Sequence, residues 1–295
     1  MKTDLAASIA GTNLCFDGFG KGGFWEMWQW KLDPYRVSGK ADVTVCNAAS
    51  GETDYEEGKL LHSEISGFFR RDVLGAPDGS TIWRFVWNLS DEVVLQYRLS
   101  ADCRRVELIA DRTNSAGMVA FEYLNQLMPG ILLKHDVLTF HGVLLEHEGM
   151  CFAVCADSGV GKSTHARLWR DRKNALILNG DRTLLRKREG VWHGYGSPWS
   201  GTSGEQVCRS APLKAIVILK RAEENRAERL NPLDSLTGAL AHVLYPGWDG
   251  DATNKAMELL DGLLTEIPVY GLHCRPDGEA VQVLYDAIYG DKNGN

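Results

Sequence analysis

Through residues 1 to about 116, apolar positions recur every second residue. ADVTVCNA, STIWRFVWNLS, EVVLQYRLS and RRVELIADR interleave β-branched and aromatic residues with polar ones. This is the period of strands with one wet face. Turn signals divide them at 76–80 (APDGS) and 99–103 (LSADC). The pattern predicts a β-rich domain on an antiparallel sheet. The segment FDGFGKGGFWEMWQW, dense in glycine and aromatics, is counted with it. Trp25, Trp28, Trp30, Trp83 and Trp87 are expected in the core or on a half-buried face, with a ligand groove as the alternative.

The period changes at residue 117. GMVAFEYLNQLM (117–128) has helical spacing and is predicted to end at Pro129-Gly130. From about 131 strands and helices alternate. ILNG (177–180) and LKAIVIL (213–219) are continuous apolar runs, as in strands buried on both faces. Asn231-Pro232 opens a helix through LDSLTGALAHVLY, and NKAMELLDGLLTEI follows as a second. YPGWDGD (245–251) reads as a turn, with a lid as the alternative, VYGLHC as a last strand, GEAVQVLYDAIY as a last helix, and DKNGN as a frayed end. Two domains are expected, a β-rich one over 1–116 and an α/β (α+β) one over 117–295.

The chemistry concentrates in GMCFAVCADSGVGKSTHARLWR, residues 149–170. CFAVC reads as a strand, ADSGVG as a small-residue turn and KSTHARLWR as a helix, the context of a phosphate-binding loop. Gly159 and Gly161 let successive N–H groups turn inward as an anion nest, and the helix N-terminus adds its partial positive charge. Lys162 can reach β- and γ-phosphates, Ser163 can offer its hydroxyl to Mg²⁺, and Ser158 adds a donor. The nucleotide-binding set is Ala156, Asp157, Ser158, Gly159, Val160, Gly161, Lys162, Ser163 and Thr164. Ala156 stands where the G-x-x-x-x-G-K-[ST] pattern has its first glycine.

A phosphate loop needs an acid at a neighbouring strand end. ALILNGDRTLLR (175–186) supplies Asp181, to hold Mg²⁺ or act as base, with a plain turn aspartate as the alternative. His141 ends an apolar run before a hairpin-like segment. YGSPWSGTSGEQVCR reads as a substrate-side loop in which Trp199 offers an aromatic wall, Ser200 a hydroxyl and Arg209 a cation, with a plain surface loop as the alternative. Arg182 and Arg186 are expected in solvent, with a phosphate-facing position as the alternative. His165, Arg167 and Trp169 are expected to pack or to face water.

The net charge is −7, with 32 basic against 39 acidic side chains. General nucleic-acid binding needs a basic face and is excluded, whereas a local phosphate pocket is not. Seven cysteines lie scattered with no C-x-x-C pair, so free thiols are expected rather than a four-cysteine zinc site. No leader-like start and no run of about 18 apolar residues occurs, so a cytoplasmic chain without a membrane span is expected.

The segment TFHGVLLEHEGMCFAVCADSGVGKST, followed by LILNGDR, resembles the C-terminal kinase domain of HPr kinase/phosphorylase, and more distantly phosphoenolpyruvate carboxykinases. The match covers residues 130–200 by motif and extends towards 290 by element order. The resemblance implies a phosphoenolpyruvate carboxykinase-like P-loop domain with a central mixed sheet. It also implies ATP and Mg²⁺ as cofactors. By this likeness Ser158, Gly159, Gly161, Lys162 and Ser163 form the Walker A loop. His141 lies near metal and acceptor, and Asp181 is the second acid of a metal-holding pair. Lys162, Asp181 and His141 are then the catalytic set, and Ser163, Asp181 and His141 the metal set. Three positions depart from the family: Gly180 replaces the first acid, Thr164 a frequent glutamate, and YGSPWSGTSGE the long cationic loop.

Three functions compete. The first is an ATP/Mg²⁺-dependent kinase transferring a γ-phosphoryl group to a hydroxyl of a peptide, a protein serine or a small molecule. The second, motivated by Gly180, is a catalytically weakened ATP-binding regulatory protein. The third, a carboxykinase-like lyase, lacks a recognisable arginine and lysine set for its carboxylate substrate. Homo-oligomerisation is common in the resembled family.

Overall fold

The computed structural model describes residues 5–19, 23–48, 58–113 and 117–290, except for the side chains of 23–25, 66 and 202. The expectations for Trp25 and for DKNGN therefore lie outside the described residues. The chain forms two compact units, Met1–Lys134 and His135–Asn295.

The first unit carries β1 (Leu5–Ile9), β2 (Thr12–Asp17), α1 (Gly23–Leu32), β3 (Val43–Asn47), β4 (Lys59–Ser66), β5 (Phe69–Gly75), β6 (Thr81–Trp87), β7 (Glu92–Leu99), β8 (Arg105–Asp111) and α2 (Met118–Leu133). Its eight strands lie in the order β1-β2-β3-β8-β7-β6-β5-β4. The sheet is mixed rather than antiparallel, because β3 runs parallel to both β2 and β8. Parallel neighbours need a crossover, and the segment holding α1 provides one between β2 and β3. The aromatic-dense segment is thus partly helical. It buries Trp28, which meets Phe16 and Phe121 edge-on and donates from Nε1 to the Gly117 carbonyl at 2.9 Å. Trp83 is also buried, whereas Trp30 is 70% exposed.

Helix α2 runs through Pro129 instead of stopping there. The ring removes one backbone donor, and burial of Ile131, Leu132 and Leu133 outweighs that loss. The helix lies in the first unit, not at the head of the second. Tyr97 donates to the Ala120 carbonyl at 2.7 Å, and Phe85 stacks on Tyr123.

The second unit carries β9 (Val137–His147), β10 (Met150–Cys155), α3 (Lys162–Lys173), β11 (Leu176–Asn179), β12 (Arg182–Arg188), β13 (Val191–Tyr195), β14 (Ser210–Arg221), β15 (Arg226–Arg229), α4 (Pro232–Leu240), β16 (Val243–Leu244), α5 (Gly250–Glu266), β17 (Val269–Cys274) and α6 (Gly278–Tyr289). The class is α+β with mixed sheets, as expected. Strand β14 runs parallel to both β10 and β17. Strand β9 is shared: its first half pairs with β12 and β16, its second half with β10 and β11. Phe152, Val154, Val217 and Leu272 from the strands pack with Trp169 and Leu284 from α3 and α6 in one core.

Helix α4 stops at Leu240, five residues short of the expected helix, and α5 starts four residues early on the Asp249 cap. The backbone of 242–244 pairs with β9 instead: His141 N–H donates to the His242 carbonyl at 2.8 Å. All seven cysteines are free thiols, four of them buried. Among the described residues no helix is long and apolar enough to cross a membrane.

Candidate phosphate-binding site

Strand β10 delivers the chain at the carboxyl end of its parallel pair with β14, the end at which open α/β sheets bind ligands. The loop then turns through Gly159 (φ 77°) and Gly161 (φ 126°) into α3. A Cβ at either glycine would meet nothing within 4 Å, so the backbone dihedral, not space, calls for glycine. Ala156, where the G-x-x-x-x-G-K-[ST] pattern has its first glycine, has no left-handed φ, and its methyl is buried in the core of the unit. Lys162 Nζ folds back to the Ala156 carbonyl at 2.6 Å. Burial pushes its ammonium below the usual range, against the opposing pull of Asp181 and Asp157. Ser158, Ser163 and Thr164 are exposed at the loop and the first turn of α3.

Asp181 is held by a turn that the sequence signals only as N-G-D. Asn179 ends β11 fully buried, and its Oδ1 accepts from the N–H groups of Asp181 (2.9 Å) and Arg182 (2.7 Å). Its Nδ2 donates to the carbonyls of Ser197 and Trp199 at 3.0 and 2.9 Å. One side chain therefore ties the acid's turn to the downstream loop. His141 Nδ1 lies 3.4 Å from Asp181 Oδ1, and Arg182 Nε lies 3.3 Å from Oδ2. Burial raises the Asp181 carboxyl, but His141, Arg182 and Lys162 together outweigh it and hold the group below the usual carboxylate range. His141 stands inside β9 rather than at its end. Arg182, expected in solvent, is largely buried against Asp181 because β12 pairs with β9 at His141.

These groups surround one open cleft of about 400 Å³, lined by Lys162, Ser163, Thr164, Asp181, His141 and Ser200, together with Ser203 and Arg221. A narrower cleft of about 220 Å³ adjoins it, lined by Val160, Lys220, Arg221, Arg275 and the buried His165. Arg221 belongs to both. At the end of β14 it donates from Nε to the Val160 carbonyl at 3.0 Å and also to the Gly159 carbonyl. The signal for it was present: an apolar strand, V-I-L, closing on K-R beside the loop strand. Asn179, Ser203 and Arg221 were not singled out from the sequence.

Two expected loop residues lie elsewhere. Trp199 is 1% exposed, so it is core and not a wall of the cleft. Arg209 pairs with Glu146 at 2.7 Å, and Glu146 faces Cys151 across β9 and β10, at the far end of those strands from the phosphate loop. Ser200 does line the cleft, with a buried Oγ that has no hydrogen-bond partner.

Among the described residues no three His, Cys, Asp or Glu side chains gather to hold a metal by themselves. Ser163 and Asp181 are hard oxygen donors on one cleft beside the turn at Gly159 and Gly161. That fits a Mg²⁺ bound through one carboxylate and substrate phosphates.

No family model and no curated protein matches the chain. Among solved structures it has a distant likeness to the Hpr(Ser) kinase/phosphatase from Coxiella burnetii, with 12% identity and a TM-score of 0.31 over 52% of this chain and 88% of that one.

Proposed function

We propose that the protein is an ATP- and Mg²⁺-dependent phosphotransferase that delivers a γ-phosphoryl group to a hydroxyl. The observation that supports this is the convergence of the Lys162 ammonium, the α3 N-terminus and the His141-held Asp181 on one cleft. The amides of 159–163 bind the phosphates, and Lys162 leaves the Ala156 carbonyl to take the β- and γ-oxygens. Ser163 and Asp181 hold the metal. Mg²⁺ held there by Ser163 and Asp181 would offset the negative charge of the phosphates. His141 and Arg182 aim the Asp181 carboxylate. Arg221 fixes the loop by its carbonyls, and the narrow cleft beside it has room for the nucleoside.

Calorimetric titration with ATP, with and without Mg²⁺, tests the reading, together with transfer of labelled γ-phosphate. Metal-dependent binding that is lost in Lys162→Ala is expected. Absence of any magnesium-dependent uptake of ATP or GTP would sink it. A second reading, binding without turnover, is favoured by the lack of an acidic side chain at Gly180, and measurable transfer excludes it.

A further inference from the structure

Ser203 stands apart from the other hydroxyls of the cleft. Ser163 and Thr164 belong to the side that grips phosphate, and Ser200 is 2% exposed. Ser203 comes from the turn at 201–203, is exposed, and lines the same cleft as Lys162 and Asp181. Its Oγ occupies the point at which a side chain on Gly180 would begin. The turn also closes on the neighbouring acid: a Cβ on Gly201 would lie 2.9 Å from both Cβ and Cγ of Asp181. The hydroxyl is held in place, donating to the Ser200 carbonyl at 2.7 Å and accepting from the Glu205 N–H at 3.2 Å. The chain thus carries a held serine, on an exposed residue, lining the same cleft as Lys162 and Asp181.

We propose that Ser203 is a phosphoryl acceptor, modified in cis from ATP bound in this cleft; the inference rests on the phosphotransferase reading above. Ser203 Oγ attacks the γ-phosphorus. The new Oγ–P bond forms as the bond to the β,γ-bridging oxygen breaks, and that electron pair leaves on ADP. The hydroxyl proton passes to water. The product carries about −1.5 to −2 charge beside Asp181. Like-charge repulsion and the filled space at Gly180 then lift the turn off the acid, so modification uncovers the cleft for an external hydroxyl.

The test uses the full chain with labelled ATP and Mg²⁺, peptide mapping by mass spectrometry, and ATP titration of the same sample. One phosphate on Ser203 is expected, at a rate independent of protein concentration. The label is lost in Ser203→Ala and returns as phosphothreonine in Ser203→Thr. Bound ATP with no phosphate on Ser203, phosphate on another hydroxyl, or a rate that climbs with concentration overturns the inference while leaving the phosphotransferase reading standing. Absence of ATP binding overturns both. Limited proteolysis supplies a readout apart from transfer: cleavage within 200–205 speeds up in the modified chain, and unchanged cleavage overturns the uncovering step.

Discussion

His141 Nδ1 lies 3.4 Å from Asp181 Oδ1, while Arg182 Nε sits 3.3 Å from the other carboxylate oxygen. The contact is built by strand pairing, since Gly142 N–H donates to the Asp181 carbonyl at 3.0 Å and β12 runs antiparallel to β9 at this level. A carboxylate gripped at both oxygens keeps one direction. His141→Ala is therefore expected to weaken the Mg²⁺-dependent part of ATP binding by about tenfold, the usual cost of losing a group that orients a metal ligand. Asp181→Asn, which removes the charge itself, is expected to cost more. Titrations at several Mg²⁺ concentrations separate the two, and equal effects would contradict the positioning role.

Arg221 donates to the Gly159 and Val160 carbonyls of the glycine loop. Arg221→Ala is expected to loosen the loop and weaken ATP binding about fivefold, the worth of ~1 kcal/mol. Arg221→Lys does not restore it, because the two acceptors need a planar fork and not a point charge. Calorimetry on the two variants checks the difference.

Gly180 has no room for a methyl group, because Ser203 Oγ and Cβ already fill the space. Gly180→Ala is expected to destabilise the protein by about 1–3 kcal/mol, the range for overpacking. Ser203→Gly in the same chain removes both clashing atoms and is expected to recover most of the loss. A urea double-mutant cycle reads this coupling directly. Additive effects would show that the close approach costs nothing.

His165 is buried in α3, and its Nε2 accepts from Trp169 Nε1 at 3.0 Å. Burial pushes its pKa down to about 4. The folded value lies below the ordinary 6.5, so between those values the unfolded chain binds the extra proton. Its contribution is intact at pH 7 and is lost as the pH falls from about 6.5 towards 4, by on the order of 3 kcal/mol. Denaturation of the nucleotide-free protein at pH 7 and pH 4.5 measures it. His165→Gln, whose amide oxygen can accept from Trp169, is expected to flatten the profile.

Elements whose pattern is local were legible without coordinates. VYGLHC is β17, and GEAVQVLYDAIY is α6 to the residue, because an apolar period and a capping Asp277 define them within a few positions. The G-V-G-K-S-T loop was equally plain, since its backbone turn depends on its own glycines. Helix α1 was hidden in an aromatic-rich stretch whose composition suits strands as well. The ends of α2 and α4 depended on partners far along the chain: burial carries α2 past Pro129, and an open edge of β9 ends α4 early.

The residues alone determined the glycine turn, the lysine and serine that follow it, and the acid at a strand end, because each follows from chain geometry over a few neighbouring positions. Only the tertiary structure decided which side chains meet there. Pairing of β9 with β12 sets His141 and Arg182 on Asp181, and the end of β14 brings Arg221 over the loop. The buried amide of Asn179 draws in a loop that conceals Trp199 and sets Ser203 at Gly180. Such contacts join positions tens of residues apart, and no local period encodes which of them will touch.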